Sequence, residues 1–215
     1  MCVRRPDPAA AGREPRTGTA RNVSVTTQSR ALDWAHHEIV TSRTARRIIG
    51  VAAFAVATAF GARLAVPIPG TPVPFTLQVM FVLLAGAALG PRLGAASQAA
   101  YLAAGALGAP IFAAGGGLLY LLGPTGGYLL AFPLAAFAVG AIAGRDGGAL
   151  RLLAGLVAGV MVIHAGGVAW LSVMTDSPTR ALALGVGPFL ALDVVKIALV
   201  LLVSLRIRNR TLELF

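Results

Sequence analysis

This sequence has few charged residues, a single lysine and a single cysteine. Charged residues make up 12% of the 215 positions, about half the share of a typical soluble domain. The hydrophobic fraction is 57% and the mean hydropathy is +0.79. The lone cysteine, Cys2, excludes an intrachain disulfide and a cysteine-based metal cluster. This composition predicts a membrane protein rather than a soluble domain.

The sequence also lacks the short motifs that mark many enzymes and nucleotide-binding proteins. It contains no Gly-x-Ser-x-Gly nucleophile elbow, no His-Glu-x-x-His metal motif and no phosphate-binding P-loop. The pair His36-His37 stands alone in a polar segment, which is a poor metal site. We therefore predict a protein that is not an enzyme and that carries no cofactor and no metal ion.

Long apolar runs fill most of the chain after its first 47 residues. A helix needs about 20 residues to cross a bilayer, and prolines and glycines separate the runs from one another. The predicted fold is all-α, a polytopic bundle of six transmembrane helices. The six runs are residues 48–66, 75–89, 93–107, 125–143, 150–174 and 182–205.

Three regions follow from this pattern. Residues 1–47 are rich in arginine, proline, serine and threonine, so they are predicted to be a disordered cytoplasmic extension that cannot bury enough apolar surface to order itself. Residues 48–207 are the predicted membrane domain, and residues 208–215 are a short cytoplasmic tail.

Basic residues predict the orientation in the membrane. With the N-terminus inside, fifteen of the 18 cations lie in inner segments, and only Arg63 and Arg180 lie outside. Such a bias is typical of cytoplasmic segments. We predict a multi-pass protein of the cytoplasmic (inner) membrane with both termini in the cytoplasm. The net charge of +10 is then a topology signal and does not indicate nucleic-acid binding.

The remaining cation, Lys196, lies inside the sixth run together with Asp193. Each charged residue raises the free energy of membrane insertion by about 2.5–3.5 kcal/mol when it lies at the centre of a membrane helix. Spaced at i and i+3, the two side chains share one helix face and can pair. Ionisable residues within membrane spans usually have a function. The alternative interpretation is an ion pair that only fixes the register of the helix.

An uncharged, glycine-rich stretch over residues 110–128 is the second candidate for a binding site. Irregular backbone at membrane depth persists where it is buried or lines a cavity, and glycine lets backbone groups approach a ligand. Aromatic rings stand beside these glycines, and a few polar residues in the neighbouring spans can face the interior. His164 in the fifth run is interpreted as a hydrogen-bonded packing residue.

Small residues form two stripes on the first predicted helix. Ala53, Ala57 and Gly61 recur every four residues, with Ala55 and Ala59 on an adjacent stripe. Stripes of this kind let helices approach closely in lipid. The residues alone leave two interpretations open, packing within the bundle or docking to a separate membrane protein.

Several of these segments occur together in one known family. They are Pro72-Val-Pro-Phe-Thr-Leu-Gln78, Gly86-Ala-Ala-Leu-Gly-Pro-Arg-Leu-Gly94, Gly108-Ala-Pro-Ile-Phe112, Gly115-Gly-Gly117, Gly123-Pro-Thr-Gly-Gly-Tyr-Leu129 and Asp193-x-x-Lys196. The set resembles the BioY family, whose members are the biotin-binding S components of energy-coupling factor (ECF) transporters. The resemblance covers residues 46–207 and does not extend to the long N-terminal segment.

The resemblance implies a six-helix S-component fold with a biotin site near the outer face. We expect Asp193 to accept hydrogen bonds from the ureido N–H groups, and Lys196 to neutralise Asp193 and to donate to the ureido oxygen or to the carboxylate. The full set of predicted substrate-binding residues is Asp193, Lys196, Tyr128, Gln98, Tyr101, Phe112, Gly115, Gly116, Gly117 and Thr125.

The resemblance also implies partners. The stripes at Ala53, Ala57, Gly61, Ala55 and Ala59 would dock on a transmembrane coupling subunit, and two ATPase subunits would drive the release of biotin inside. Biotin and membrane lipid complete the predicted partners, and self-association stays open. Two other functions also stay open, an S component for another vitamin and a membrane-embedded enzyme.

Overall fold

The computed structural model of the chain describes residues 43–144 and 147–214, with side chains described as far as residue 207. Eight helices and two short strands make up this part of the chain. In order they are α1 Arg43–Arg63, β1 Ala65–Val66, β2 Phe75–Thr76, α2 Gln78–Leu89, α3 Pro91–Ala106, α4 Leu118–Leu121, α5 Gly126–Ala143, α6 Ala149–Thr175, α7 Pro178–Gly185 and α8 Leu190–Leu214. Most of the predicted N-terminal extension lies outside the described residues, but residues 43–47 begin α1.

Among the described helices, α1, α5 and α6 are each long and apolar enough to cross a membrane. A fourth candidate span consists of α7 and α8 together, bent by 52° at the break between them. α2 is an apolar helix of 12 residues and α3 has 16. The prediction of a mostly helical membrane protein is confirmed. The two strands depart from an all-α chain, since they pair antiparallel with Ala65 opposite Thr76.

Close approach between helices depends on residues without large side chains. A Cβ atom on Gly86 of α2 would lie 2.3 Å from the Ala136 carbonyl oxygen of α5, so the two helices could not come as close with any other residue there. α2 and α3 are joined at Gly90, whose φ of +80° favours glycine. Pro91 then occupies the first turn of α3, where its missing N–H costs nothing.

Two clusters of buried side chains form the core. One is rich in aromatic residues and includes Tyr101, Phe112, Tyr128 and Phe132. The other is aliphatic and joins α2, α5, α6 and α8 through residues such as Leu83 and Leu156. The aromatic cluster adjoins the loops between helices, and the polar side chains described below lie beside it.

The predicted sixth span is not one continuous helix. It divides into α7 and α8 at residues 186–189, because Pro188 has no N–H and its ring clashes with the carbonyl four residues earlier. That carbonyl, on Leu184, instead accepts a hydrogen bond of 2.8 Å from the Thr71 hydroxyl. The break places Asp193 in the first turn of α8, where the positive end of the helix dipole stabilises an anion.

Candidate functional site

A cavity lies between α2, α5, α6 and α8, under the segment that carries β2 and beside the loop before α5. Its wall is mainly apolar, with a small set of polar groups, as is typical of ligand sites. The residues that line it are Val73, Pro74, Thr76, Gln78, Val79, Ala113, Tyr120, Thr125, Tyr128, Leu129, Phe132, Val160, Ile163, His164, Phe189, Asp193 and Lys196.

Three ionisable side chains meet on one wall of this cavity. Lys196 Nζ lies 3.2 Å from Asp193 Oδ1, and His164 Nε2 lies 2.6 Å from Asp193 Oδ2. Asp193 and Lys196 are each only 4% exposed, and His164 is 9% exposed. The pairing predicted from the i, i+3 spacing therefore forms, and His164 from α6 makes it a cluster of three residues, which we call the His–Asp–Lys cluster.

The lysine of this cluster is held from a second side. Its Nζ lies 4.5 Å from the centroid of the Phe75 ring, within the range of a cation–π contact. An ammonium group has three N–H donors, and the contact with Asp193 uses one of them. Lys196 is thus fixed in the cavity wall with donors left for a bound ligand.

Tyr128 lies in a narrow slot between glycines. Its hydroxyl donates to the Gly185 carbonyl oxygen at 2.9 Å. A Cβ on Gly185 would lie 2.2 Å from that hydroxyl, and one on Gly167 would lie 2.1 Å from two ring carbons. These glycines therefore position the Tyr128 ring, and the hydrogen bond ties α5 to the helix break beside Asp193.

The close contact between Gly167 and the Tyr128 ring predicts the effect of Gly167→Ala on stability. A glycine in mid-helix that gains a methyl group normally stabilises its helix by about 1 kcal/mol. Here the methyl overlaps the Tyr128 ring, and overpacking costs about 1–3 kcal/mol. We expect a lower melting temperature for the purified variant. A Gly167→Ala protein at least as stable as wild type would contradict a positioning role of Gly167 for the Tyr128 ring.

A chain of polar contacts leads away from the cavity through Gln78. Its amide oxygen accepts from the Thr76 hydroxyl at 3.1 Å, and its amide nitrogen donates to the Tyr101 hydroxyl at 2.6 Å. Tyr101 in turn donates to the Ile111 carbonyl oxygen at 3.2 Å. Gln78 and Thr76 line the cavity. Tyr101 does not line it but holds the Gln78 amide in position through their hydrogen bond.

The structure brings four of the predicted substrate-binding residues into the cavity wall, namely Asp193, Lys196, Tyr128 and Thr125. Gln98 lies elsewhere, fully buried, where its amide oxygen accepts from the Thr58 hydroxyl of α1 at 3.2 Å. The side chain of Gln98 therefore joins α3 to α1.

Phe112 and the glycines at 115–117 also lie outside the cavity wall. The ring of Phe112 stacks on Tyr120 with centroids 5.1 Å apart and packs on Gly105, where a Cβ would meet it at 2.1 Å. Gly117 N–H donates to the Gly105 carbonyl oxygen at 2.7 Å. In this region the glycines allow the backbone and the Phe112 ring to pack closely next to Tyr120. Tyr120 itself lines the cavity.

The residues of the two small stripes on α1 differ in their surroundings. Ala55 and Ala59 pack against the aromatic cluster. Gly61 is buried, and a Cβ there would lie 2.7 Å from the Phe81 ring. Ala53 is exposed and Ala57 is half-buried. Of the predicted docking residues, one is thus exposed, Gly61 is buried, and the remaining three are half-buried, namely Ala55, Ala57 and Ala59.

Sequence reasoning missed several features of this wall. Phe189 and the apolar residues of α6 had no distinguishing signal, since they are ordinary apolar residues in apolar runs. The sequence indicates a hydrogen-bonded packing residue at His164 but not its partner, because only the crossing of α6 and α8 places it against Asp193, 29 positions away. Among the described residues, no three His, Cys, Asp or Glu side chains gather to hold a metal ion.

A second, wider groove runs along the outside of α5 and α6. It is apolar and is lined by small residues such as Gly127 and Gly166, with Leu134 and Trp170 at its sides. Trp170 Nε1 donates to the Gly123 carbonyl oxygen at 3.0 Å, so the only indole N–H in the groove already has a partner. The groove contains no ionisable side chain.

Comparisons with a family model and with individual relatives indicate the same family. The family model described as the BioY family matches residues 29–213. The chain is 44% identical over 168 residues to a probable biotin transporter BioY of Pyrococcus horikoshii, covering 78% of this chain and 99% of that protein. A biotin transporter BioY of Thermotoga maritima is 38% identical over 169 residues, with the same coverage.

A solved structure also matches the fold. It is the crystal structure of the S-component for biotin from an ECF-type ABC transporter, with a TM-score of 0.71 and 27% sequence identity. The match covers 79% of this chain and 94% of that chain.

Proposed function

Because the chain belongs to the BioY family, we propose that it is the biotin-binding S component of an ECF-type transporter and takes part in biotin uptake. The observation that carries the proposal is the His–Asp–Lys cluster, which lies in the wall of an otherwise mainly apolar cavity. Buried charges within a span are expensive, and a polar ligand gives them a role that packing does not.

The cavity offers groups that complement each part of biotin. Biotin has a ureido ring with two N–H donors and one carbonyl oxygen, an apolar thioether ring and a carboxylate on an apolar chain. Asp193 is a charged acceptor for a ureido N–H, and such hydrogen bonds are strong in a dry site. Lys196 has free donors for the ureido oxygen or the carboxylate. Phe132 and Ile163 provide apolar contacts, with Tyr120 and Tyr128 for the rings.

The residues of the predicted site outside the wall take supporting roles in this proposal. Tyr101 fixes the amide of Gln78, and Phe112 supports the ring of Tyr120. Gly115, Gly116 and Gly117 allow the loop before α4 to pack closely, and Gln98 holds α3 against α1. Their substitution would alter the shape of the site without removing a direct contact with the ligand.

The fold can be divided into six membrane spans, formed by α1, α2, α3, α5, α6 and the broken pair of α7 and α8. α2 is only about 18 Å long, which is less than the thickness of a hydrocarbon core, roughly 30 Å. Residues before it, including the buried Val73 and Thr76, continue this span inside the protein, where irregular backbone is tolerated. The excess of basic residues in the inner segments supports an orientation in the cytoplasmic (inner) membrane with both termini in the cytoplasm.

ATP hydrolysis belongs to separate subunits in this proposal. The sequence has no P-loop, so two ATPase subunits would act through a transmembrane coupling subunit. The exposed part of α1 is the docking face we propose, with Ala53 and the half-buried Ala57 allowing close approach. Val56 and Phe60, exposed at 69% and 60% on the same helix, would flank the contact.

A substitution on this face should separate binding from transport. We expect Ala53→Trp to leave the biotin affinity of the purified protein unchanged and to reduce uptake by cells that contain the coupling proteins by about tenfold, because the indole prevents close helix approach. Ala198→Trp is the matched control, an exposed alanine on α8. Equal uptake by the two variants would contradict a docking role for this face.

The proposed function is tested by uptake of labelled biotin into a transport-deficient cell that expresses this chain with and without the coupling proteins. We expect uptake that is saturable and is competed by unlabelled biotin, but not by thiamine or riboflavin. Competition by another vitamin would assign the site to a different substrate. Chemical turnover of biotin by the purified protein would instead support a membrane-embedded enzyme.

A further inference from the structure

The short sheet formed by β1 and β2 fixes the position of one aromatic residue next to the candidate site. In this sheet Phe75 of β2 pairs with Val66 of β1, which follows directly after α1. Just beyond β2, the Leu77 N–H donates to the Gly61 carbonyl oxygen of α1 at 3.2 Å. The backbone on both sides of the Phe75 ring is therefore tied to the end of α1.

Phe75 lies beside the cavity but outside its wall. Its neighbours in the chain, Pro74 and Thr76, both line the cavity, whereas Phe75 does not. The Phe75 side chain is half-buried and packs against the aromatic cluster, and Lys196 Nζ lies 4.5 Å from the centroid of its ring. Phe75 thus contacts the lysine of the site from a place where it does not contact a ligand.

Lys196 has only one other described contact that holds its ammonium, the one with Asp193. Asp193 lies on the same helix, three residues earlier, and a lysine side chain has a long and flexible stem. The Phe75 ring belongs to a different element and attracts the ammonium through the negative charge of its face. Contacts from two elements define the position of the ammonium better than one contact along its own helix.

We propose that Phe75 is a positioning residue of the substrate site, which holds the Lys196 ammonium in place for the ligand through a cation–π contact. The proposal rests on the proposed function for the identity of the ligand, biotin. It also gives the short sheet a role, since the pairing of β1 with β2 places the Phe75 ring. Without the ring, biotin must immobilise Lys196 when it binds, and fixing a flexible side chain on binding lowers the affinity by up to about tenfold.

The contact itself can be tested without a ligand, because Lys196 is the only lysine of the chain. In protein prepared with isotope-labelled lysine, the protons on Cε of Lys196 give a single set of NMR signals. An aromatic ring displaces the signals of protons above its face. We expect displaced signals in the wild-type protein and a return toward the ordinary lysine position in Phe75→Leu. The same signals in both proteins would overturn the proposal.

Binding of biotin to the purified protein tests whether the contact acts on the ligand. Pentafluorophenylalanine in place of Phe75 keeps the ring close to its original size but reverses the charge of its face. We expect this replacement to weaken biotin binding by about tenfold. Phe75→Tyr retains the attractive ring face and should bind biotin within about twofold of wild type. The matched control is pentafluorophenylalanine in place of Phe137, which is exposed on α5 and should leave the affinity unchanged.

A fluorinated Phe75 protein that binds biotin as tightly as wild type would overturn the proposal and leave Phe75 as a packing residue. An equal loss of affinity on fluorination of Phe75 and of Phe137 would also overturn it, because the loss would not depend on the contact with Lys196. A wild-type protein that does not bind biotin would instead overturn the proposed function, and the lysine signals would still report whether Phe75 holds Lys196.

Discussion

Replacement of Asp193 by asparagine is expected to weaken biotin binding by about a hundredfold. A hydrogen bond to a charged acceptor contributes about 1.5–3 kcal/mol, and each 1.4 kcal/mol changes a dissociation constant tenfold. The change also leaves Lys196, which is 4% exposed, as an unpaired charge within a span. Titration of the purified variant with biotin by calorimetry measures the effect.

The matched control is Asp176→Asn, the same chemical change at an exposed position. Asp176 ends α6 with a positive φ of 50°, a conformation that asparagine also adopts readily. Its biotin affinity should equal that of the wild-type protein. If Asp193→Asn bound biotin as tightly as the control does, Asp193 would not contact the ligand.

The second large effect is expected from combining Asp193→Asn with Lys196→Met. Breaking a buried ion pair by removing one partner costs about 3–5 kcal/mol, whereas replacing both charges with groups of similar size is often neutral. Each single variant should therefore have a lower melting temperature than wild type, and the double variant should regain most of the loss. Thermal unfolding in detergent checks this.

Biotin binding should show the opposite pattern, with no recovery in the double variant, because both ligand contacts are gone. This separates the two interpretations of the pair that the sequence leaves open. If the pair only fixed the register of α8, the double variant would recover binding together with stability. A stable double variant with wild-type affinity for biotin would contradict a role of the pair in the site.

The sequence was informative wherever one residue type was improbable in its setting. A lysine and an aspartate inside an apolar run are conspicuous because a charge in a membrane span raises the free energy of insertion. Their i, i+3 spacing was enough to predict the contact, which is 3.2 Å long in the structure. The long apolar runs likewise predicted α5 and α6 closely. These features depend on local chemistry, which a single sequence contains.

Features that depend on how helices cross were not predictable in the same way. Gln98 and Gln78 are both polar residues in membrane helices, but only the packing of α1 against α3 decides that Gln98 faces Thr58 while Gln78 reaches the cavity. The break before α8 did have a signal, since Gly187 and Pro188 interrupt the sixth run. A hydropathy average does not reveal this break, because the residues on both sides of it are apolar.

The most direct test of the account is a structure of the protein with biotin bound. We expect the ureido ring in the cavity between α2, α5, α6 and α8, with one N–H within hydrogen-bond distance of Asp193 and Lys196 donating to the same molecule. Biotin bound instead in the outer groove of α5 and α6, beside Gly127 and Trp170, would contradict the assignment of the His–Asp–Lys cluster as the binding site.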